Sequence, residues 1–552
     1  MSYDPIEQTP SAYDFPLLIK QLLTSALARA STKEIVYAER VRYGYPELNR
    51  RIARLANVLV GAGAAPGKTV AVMDWDSHRY FEGYFAIPCL GCVMQTVNVR
   101  LSPDQILYTL NHARAEIILV NTDFLPVLES IYDKLETART FILIDENGDR
   151  PRSRIAFAGE YEQLMEQAAP QYEFPDFDEK TRATIFYTSG TTGLPKGVYY
   201  SHRQMVLHAL GVVATFGAAP TQGRVHSDDV YMPITPMFHA HAWGWPYAAT
   251  LLGMKQVFPG RYTPELLLRL IVKEKVTFSH CVTTLLHMLL THPDSAKVDF
   301  RGIKMLIGGG ALPSGLAAMA MDRGIDVFTG YGMSETGPLQ VLNQLTREEL
   351  QADPGAQVPM RVRAGRPVLL CDVRTVDADM NFLPRDGKSI GEVVFRSPWV
   401  TQGYYKNPEA SEQLWRGGWM HSNDLGFFNP DGNLQICDRM KDVIKTGGEW
   451  VSSLELESLI SKHPGVSEVA VIAVGDPKWG ERPLALVVPR PDQRGRIDAE
   501  SVRAHLRKFA DSGAISRYAV PDQVIFVDAL EKTSVGKLDK KVLRTKYQAG
   551  GS

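Results

Sequence analysis

Apolar residues recur at helical spacing from Phe15 to Ala28, and again after Tyr45-Pro46-Glu47-Leu48, where Ile52, Leu55, Val58 and Leu59 share one face. The period then changes. Thr69 to Met73, Glu116 to Val120 and Thr140 to Asp145 are short apolar runs separated by helical stretches, the rhythm of parallel strands covered by helices on both faces. Ala183 to Tyr187 is another such run. Val230 to Ile234, Val276 to Phe278, Ile303 to Ile307 and Ile325 to Phe328 follow, each ending near Gly, Pro, His or Thr. Ligands of such sheets gather at the carboxyl ends of the strands, so those endings are the first places to search for chemistry.

Past Arg361 the strands become shorter and polar-flanked, as in Gly391 to Phe395 and Leu434 to Cys437, which predicts a β subdomain. Val469 to Val474, Leu484 to Val488, the helix-like Ala499 to Phe509 and Val524 to Val527 predict a compact α+β unit. The expected fold is therefore α/β. A large N-terminal domain of layered α/β sheets with a β subdomain spans 1–440, and a small α+β C-terminal domain spans 441–552, the boundary lying at Asp438 to Asp442.

Composition narrows the classes. A chain of 552 residues exceeds a single core at roughly 150 residues per domain. Lys plus Arg number 60 against 62 for Asp plus Glu, a balance that predicts no nucleic-acid partner. Five cysteines, odd in number and scattered, fit a reducing cytoplasm rather than a disulfide scaffold. Cys89 and Cys92 form a lone C-x-x-C in apolar sequence and are expected to be packed thiols. Met1 to Pro10 has neither the basic start nor the apolar core of a leader segment, and no apolar run reaches the ~18 residues of a membrane span. The expected location is cytoplasmic.

The chemistry begins at Tyr187 to Gly197, which reads Y-T-S-G-T-T-G-L-P-K-G and holds four Ser/Thr hydroxyls, three glycines and one lysine. Glycines let the backbone aim N–H groups at an anion, while hydroxyls and Lys196 add donors and charge. This composition suits polyphosphate. The P-loop needs glycine before its lysine and Ser or Thr after it; here the neighbours are Pro195 and Gly197.

Tyr331-Gly332-Met333-Ser334-Glu335-Thr336 comes next, offering an aromatic face, a hydroxyl and a carboxylate. Trp419 to Asp424, Asp438 to Asp442 and Lys532-Thr533-Ser534-Val535-Gly536-Lys537 follow. In this order the set resembles the adenylate-forming enzymes, the superfamily of acyl-CoA synthetases, firefly luciferases and peptide-synthetase adenylation domains, over nearly the whole chain. The resemblance implies ATP, Mg²⁺ and CoA as cofactor and co-substrates. It implies that Thr188, Ser189, Gly190, Thr191, Thr192, Gly193 and Lys196 order the phosphates of ATP, that Gly309 and Gly310 edge the adenine, and that Tyr331 and Gly332 cover its face. By the same resemblance Thr336 would hold the α-phosphate, Glu335 and Thr188 would bind Mg²⁺, and Asp424 with Arg439 would take the ribose. Lys537 resembles the lysine that bridges carboxylate and α-phosphate. Lys441 occupies the position of the hinge about which the family's C-terminal domain swings, and Lys445 with Gly447, Gly448, Glu449 and Trp450 resembles the stretch that then lines the thiol tunnel. Two departures stand out: Asn423 where the family commonly has glycine, and Glu531 where it has proline.

Pro236 to Pro246 (P-M-F-H-A-H-A-W-G-W-P) resembles the fatty-acyl-CoA synthetase branch. There a histidine at the position of His239 flanks the carboxylate and an aromatic at that of Trp243 gates the acyl tunnel. His241, Trp243 and Gly308 are expected pocket walls, with the helix around Met205 to Phe216 behind them. The expected reaction is AMP-forming acyl-CoA ligation of a medium- or long-chain fatty acid. Short-chain, methylthioalkanoic or aryl acids, an acyl-AMP ligase and a luciferase-like enzyme stay open, as do peripheral membrane contact and a homodimer.

Overall fold

A computed structural model of the chain describes residues 3–29, 32–149, 151–188, 194–219, 222–447 and 449–548. Two large sheets carry the N-terminal part. In one, strands Gly159–Glu160, Thr140–Ile144, Ala115–Asn121, Thr69–Met73, Val93–Thr96 and Arg182–Thr188 run parallel, and Lys196–Ser201 returns antiparallel along the edge. In the other, Asp326–Gly332, Lys304–Ile307, Phe278–Cys281, Val230–Pro233, Lys255–Phe258 and Glu34–Tyr37 are parallel, with antiparallel strands at both edges. Helices such as Tyr45–Gly61 and His78–Cys89 bury their apolar faces between and around them, so the strands read as continuous apolar runs.

The β subdomain is an antiparallel sheet of Asp372–Val376, Gly391–Arg396, Met420–Phe428 and Leu434–Arg439. The C-terminal unit pairs the long strands Val466–Asp476 and Gly480–Pro489, flanked by the hairpin Ile444–Thr446 and Glu449–Val451 and by Gln523–Phe526. It has its own core, in which Ile444, Leu456, Val471, Ala485 and Leu506 are buried. The mixed α/β architecture is the one expected.

Three elements depart from the sequence reading. The first helix is Lys20–Arg29 rather than a run from Phe15, because Pro16 starts an extended segment whose Leu17 and Ile19 N–H groups donate to Glu179 and to His202. The strand expected from Val276 is Phe278–Cys281. Lys275 is left-handed and Val276 N still donates to the Ile271 carbonyl, so the preceding helix ends there and the strand starts after it. The strand expected to end at Phe328 runs on to Gly332, since its second half leaves Lys304–Ile307 and pairs antiparallel with Leu339–Leu342. Along the new pairing the register shifts between Tyr331 and Gly332.

Ala240, His241, Ala242 and Trp243 have φ of 46°, 55°, 47° and 58°, and Gly244 has 73°. This is one left-handed helical turn, costing about 1–2 kcal/mol per non-glycine residue. Buried aromatics offset it. His241 is enclosed by Tyr84, Phe186 and Tyr247, and Trp245 lies against Phe216 and Phe278.

Candidate active site

A narrow cavity of about 40 Å³ opens where strands Lys304–Ile307 and Asp326–Gly332 end. Its walls include His239, Trp243, Gly308, Gly309, Tyr331 and Ser334, and Lys537 reaches in from the C-terminal unit. The stem of Lys537 passes over Gly309, where φ is 76° and a β-carbon would stand 2.6 Å from Lys537 Cε. Burial and the Arg439 charge push the Lys537 ammonium down to about 8, while the Glu335 and Asp424 carboxylates pull the other way. Gly310 follows on the exposed surface.

Tyr331 donates its hydroxyl to Asp424 Oδ2 at 2.7 Å, and Arg439 Nε lies 3.6 Å from Asp424 Oδ1. Burial raises Asp424, chiefly against the opposing Arg439 charge. Asn423 has φ 60°, a left-handed conformation that glycine adopts freely and asparagine tolerates better than most residues. The first departure from the family pattern thus keeps the backbone geometry. Glu531, the second, accepts from Lys546 Nζ at 2.9 Å. Gly332 is a close approach: a β-carbon there would meet the Pro338 carbonyl oxygen at 1.8 Å.

Thr188 and Lys196, the described ends of the stretch expected to order phosphates, face each other across an antiparallel pair. Ser189, Gly190, Thr191, Thr192 and Gly193 lie outside the described residues. Lys196 Nζ stands 4.6 Å from the centre of the Tyr404 ring, and Tyr404 donates to Glu335 Oε1 at 2.8 Å. Burial raises Glu335, with Tyr404, Lys196 and Lys537 opposing. Tyr404 carried no signal in the sequence; only the fold brings it here.

Two sequence expectations are corrected. Thr336 was expected at the α-phosphate, yet it is fully buried. Its hydroxyl accepts from Met333 N at 2.9 Å and donates to the Pro338 carbonyl, closing the turn. Ser334, two residues earlier, is the hydroxyl that lines the cavity. His241 was expected in the pocket wall and instead points into the core, its Nε2 2.9 Å from Thr184 Oγ1. Burial, with some help from His208, pushes it down to about 3. The left-handed turn sends it away from the cavity.

His239 and Trp243 do line the cavity, and Trp245 joins them. Burial and the Lys537 charge hold His239 down at about 3, so it is a neutral hydrogen-bonding group at ordinary pH. Trp243 stacks on His280, ring centres 4.9 Å apart at 27°. His280 is pinned on both nitrogens, to Tyr231 Oη at 2.8 Å and to Thr235 Oγ1 at 3.0 Å. Polar side chains inside a buried strand gave its apolar pattern nothing to show.

Lys441 is exposed beside Asp442, which pairs with Arg544. Lys445 and Trp450 face each other in the hairpin, Gly447 N donates to the Trp479 carbonyl at 2.9 Å, and Glu449 and Trp450 are exposed, Trp450 by 57%. None of these lines the cavity in this arrangement; Gly448 lies outside the described residues.

The comparisons agree along the chain. Residues 23–405 match the AMP-binding enzyme model and 455–537 match that of the AMP-binding enzyme C-terminal domain. The chain is 37% identical over 542 residues to the long-chain-fatty-acid–CoA ligase of Thermus thermophilus, covering 97% of this chain and 96% of that protein. It is 35% identical over 542 residues to the 3-methylmercaptopropionyl-CoA ligase of Ruegeria lacuscaerulensis, covering 97% and 98%. Among solved structures, ATP-bound MatB from Rhodopseudomonas palustris aligns with a TM-score of 0.82 at 26% identity, over 98% of this chain and 100% of that one.

Proposed function

The chain belongs to the AMP-binding enzyme family and is an acyl-CoA ligase of the AMP-forming kind, and from that premise we propose that its acid is an apolar alkanoate of medium or long chain. The likeness to the long-chain-fatty-acid–CoA ligase of Thermus thermophilus supports the chain length, and one observation supports the chemistry: Lys537 lines the same cavity as Tyr331 and Ser334, on the proposed nucleotide side, and His239 and Trp243, on the proposed acyl side.

Adenine lies between Gly309 and Tyr331, and the ribose hydroxyls reach Asp424 and Arg439. The triphosphate runs toward Lys196 and Thr188. A carboxylate oxygen attacks the α-phosphorus, forming the acyl–O–P bond as the bond to pyrophosphate breaks. Lys537 neutralises both anions during the approach, an electrostatic task that works best in a site with little water. His239, being neutral, orients the carboxylate by hydrogen bonding. The CoA sulfur then attacks the acyl carbon, the thiol proton is lost and AMP departs. Lys537 blocks the face the thiol needs, so the C-terminal domain, 441–552, turns about Lys441 and brings Gly447 to Trp450 to the tunnel.

Mg²⁺ belongs to the same proposal. Among the described residues there is no cluster of three or more His, Cys, Asp or Glu able to hold an ion. One buried carboxylate, Glu335, with a hydroxyl at Thr188 nevertheless fits an ion that takes most of its oxygens from phosphates and water. When bound, Mg²⁺ would shield phosphate charge. The cytoplasmic location is likewise proposed, on five free cysteines; no helix among the described residues is long and apolar enough to cross a membrane.

A second reading, a short-chain or methylthioalkanoic acid, is supported by the likeness to the 3-methylmercaptopropionyl-CoA ligase, with Trp243 held on His280 at the cavity wall. A panel of straight-chain C2 to C16, methylthio and aryl acids, with ATP, Mg²⁺ and CoA, separates the readings by AMP and thioester formation. An optimum at C6 or longer supports the first, and one at C2 to C4 or at the methylthio acid supports the second. No thioester with any acid would overturn both.

A further inference from the structure

The turn that carries Lys537 is closed on itself. Thr533 N donates to the Lys537 carbonyl at 2.7 Å, Gly536 N to the Thr533 carbonyl at 2.9 Å, and Lys537 N to Thr533 Oγ1 at 3.2 Å. These bonds fix the shape of the turn and leave its position free. Position comes from outside. Asn98 Nδ2 donates to Ser534 Oγ at 3.0 Å, Arg100 Nη1 to the Ser534 carbonyl at 3.2 Å, and Thr284 Oγ1 to the Gly536 carbonyl at 2.6 Å. Between them Val535 is buried in the main N-terminal core, 8% exposed. The three residues preceding Lys537 are therefore each gripped by the large domain.

The grip draws on both sheets. Asn98 follows strand Val93–Thr96 of one, and its Oδ1 accepts from Arg100 N at 3.1 Å, which orients the amide. Thr284 lies in the first turn of helix Thr283–Thr291, just after strand Phe278–Cys281 of the other. Other bonds also cross the seam: Ser314 Oγ to Ser458 Oγ at 3.0 Å, Gly315 N to Ser461 Oγ at 3.3 Å, His287 Nε2 to Ser467 Oγ at 3.1 Å, and Ser453 N and Oγ to the Asp438 carboxylate at 2.7 and 2.6 Å. None of these touches the lysine turn.

We infer that Asn98, Arg100 and Thr284 are positioning residues that latch the Ser534-Val535-Gly536 segment, and so hold the enzyme in the arrangement that forms the adenylate. The latch stabilises one arrangement only. It acts on the first half-reaction and has to be released for the second. This rests on the reading of Lys537 given above.

The test separates the half-reactions. Thr284→Val removes a hydroxyl at nearly constant volume, and Asn98→Ala removes the amide. Acid-dependent ATP–pyrophosphate exchange reports the first step, and thioester formation from supplied acyl-adenylate and CoA reports the second. Each variant is expected to lower kcat/KM for exchange roughly 3–10-fold, the loss of one net hydrogen bond, with the second step unchanged or faster. Thr284→Ser is expected to restore exchange. Equal loss in both steps, or no loss in exchange, overturns the latch. Lys537→Ala, run alongside, is expected to abolish exchange and spare the second step. If it does not, the Lys537 reading falls and the latch with it; if it does while Thr284→Val and Asn98→Ala match the parent, only the latch falls.

Discussion

On the proposed function, Lys537 has to be a cation in a place that disfavours cations. Burial and Arg439 lower it to about 8, so it is charged below that pH and neutral above it. Adenylation needs the charged form, and kcat/KM for pyrophosphate exchange is expected to fall as pH rises through about 8, nearing tenfold per unit beyond it. Thioester formation from supplied acyl-adenylate should lack that limb; a shared limb would assign it to another group. Asn423 sets a different residue-scale test. Because its φ is 60°, Asn423→Gly is expected to change stability by only a few tenths of a kcal/mol, whereas Asn423→Val should cost about 1–3 kcal/mol. Urea unfolding midpoints measure both. Equal effects would mean the backbone relaxes and the conformation matters little.

At the scale of elements, the left-handed turn at Ala240–Gly244 decides which of its side chains line the cavity, the proposed acyl pocket. Its handedness buries His241 against Thr184 and turns Trp243 onto His280. Trp243→Ala is expected to enlarge the acyl end of the cavity, moving the preferred chain toward longer acids by two or more carbons and raising KM for the shortest ones. The chain-length profile of kcat/KM checks this, and an unchanged profile would remove Trp243 from chain-length selection. Most buried strands were legible, because their apolar runs are continuous: Thr69–Met73 coincides with its expected limits. Phe278–Cys281 was not, since Ser279 and His280 are buried polar residues whose partners come from distant sequence. Thr336 and Ser334 show the same limit within one motif. Either hydroxyl could serve a phosphate on composition, and the turn at Pro338 decides that Thr336 is spent internally.

For the whole molecule, the proposed function requires the small domain to move between the two steps. In the present arrangement Lys537 fills the cavity while Trp450 faces solvent, the disposition the first half-reaction requires on the proposed function. Lys441→Pro fixes φ at the proposed hinge. It is expected to leave pyrophosphate exchange within about threefold of the parent and to slow the thioester step by roughly tenfold or more. A thioester step at parental speed would place the hinge elsewhere. The exposed position of Lys441, beside the Asp442–Arg544 pair, leaves room for such a rotation.

Sequence alone determined the α/β class, most strand positions, the order of the motifs and hence the family resemblance, because each depends on local periodicity or on residues adjacent in the chain. Tertiary structure decided which hydroxyl and which histidine face the cavity, that Tyr404 supports Glu335 and Lys196, and that Asn98 and Thr284 grip the lysine turn. The Asn98–Ser534 bond joins residues 436 positions apart. No local pattern encodes such a pair; it exists only once two sheets and a second domain have packed together.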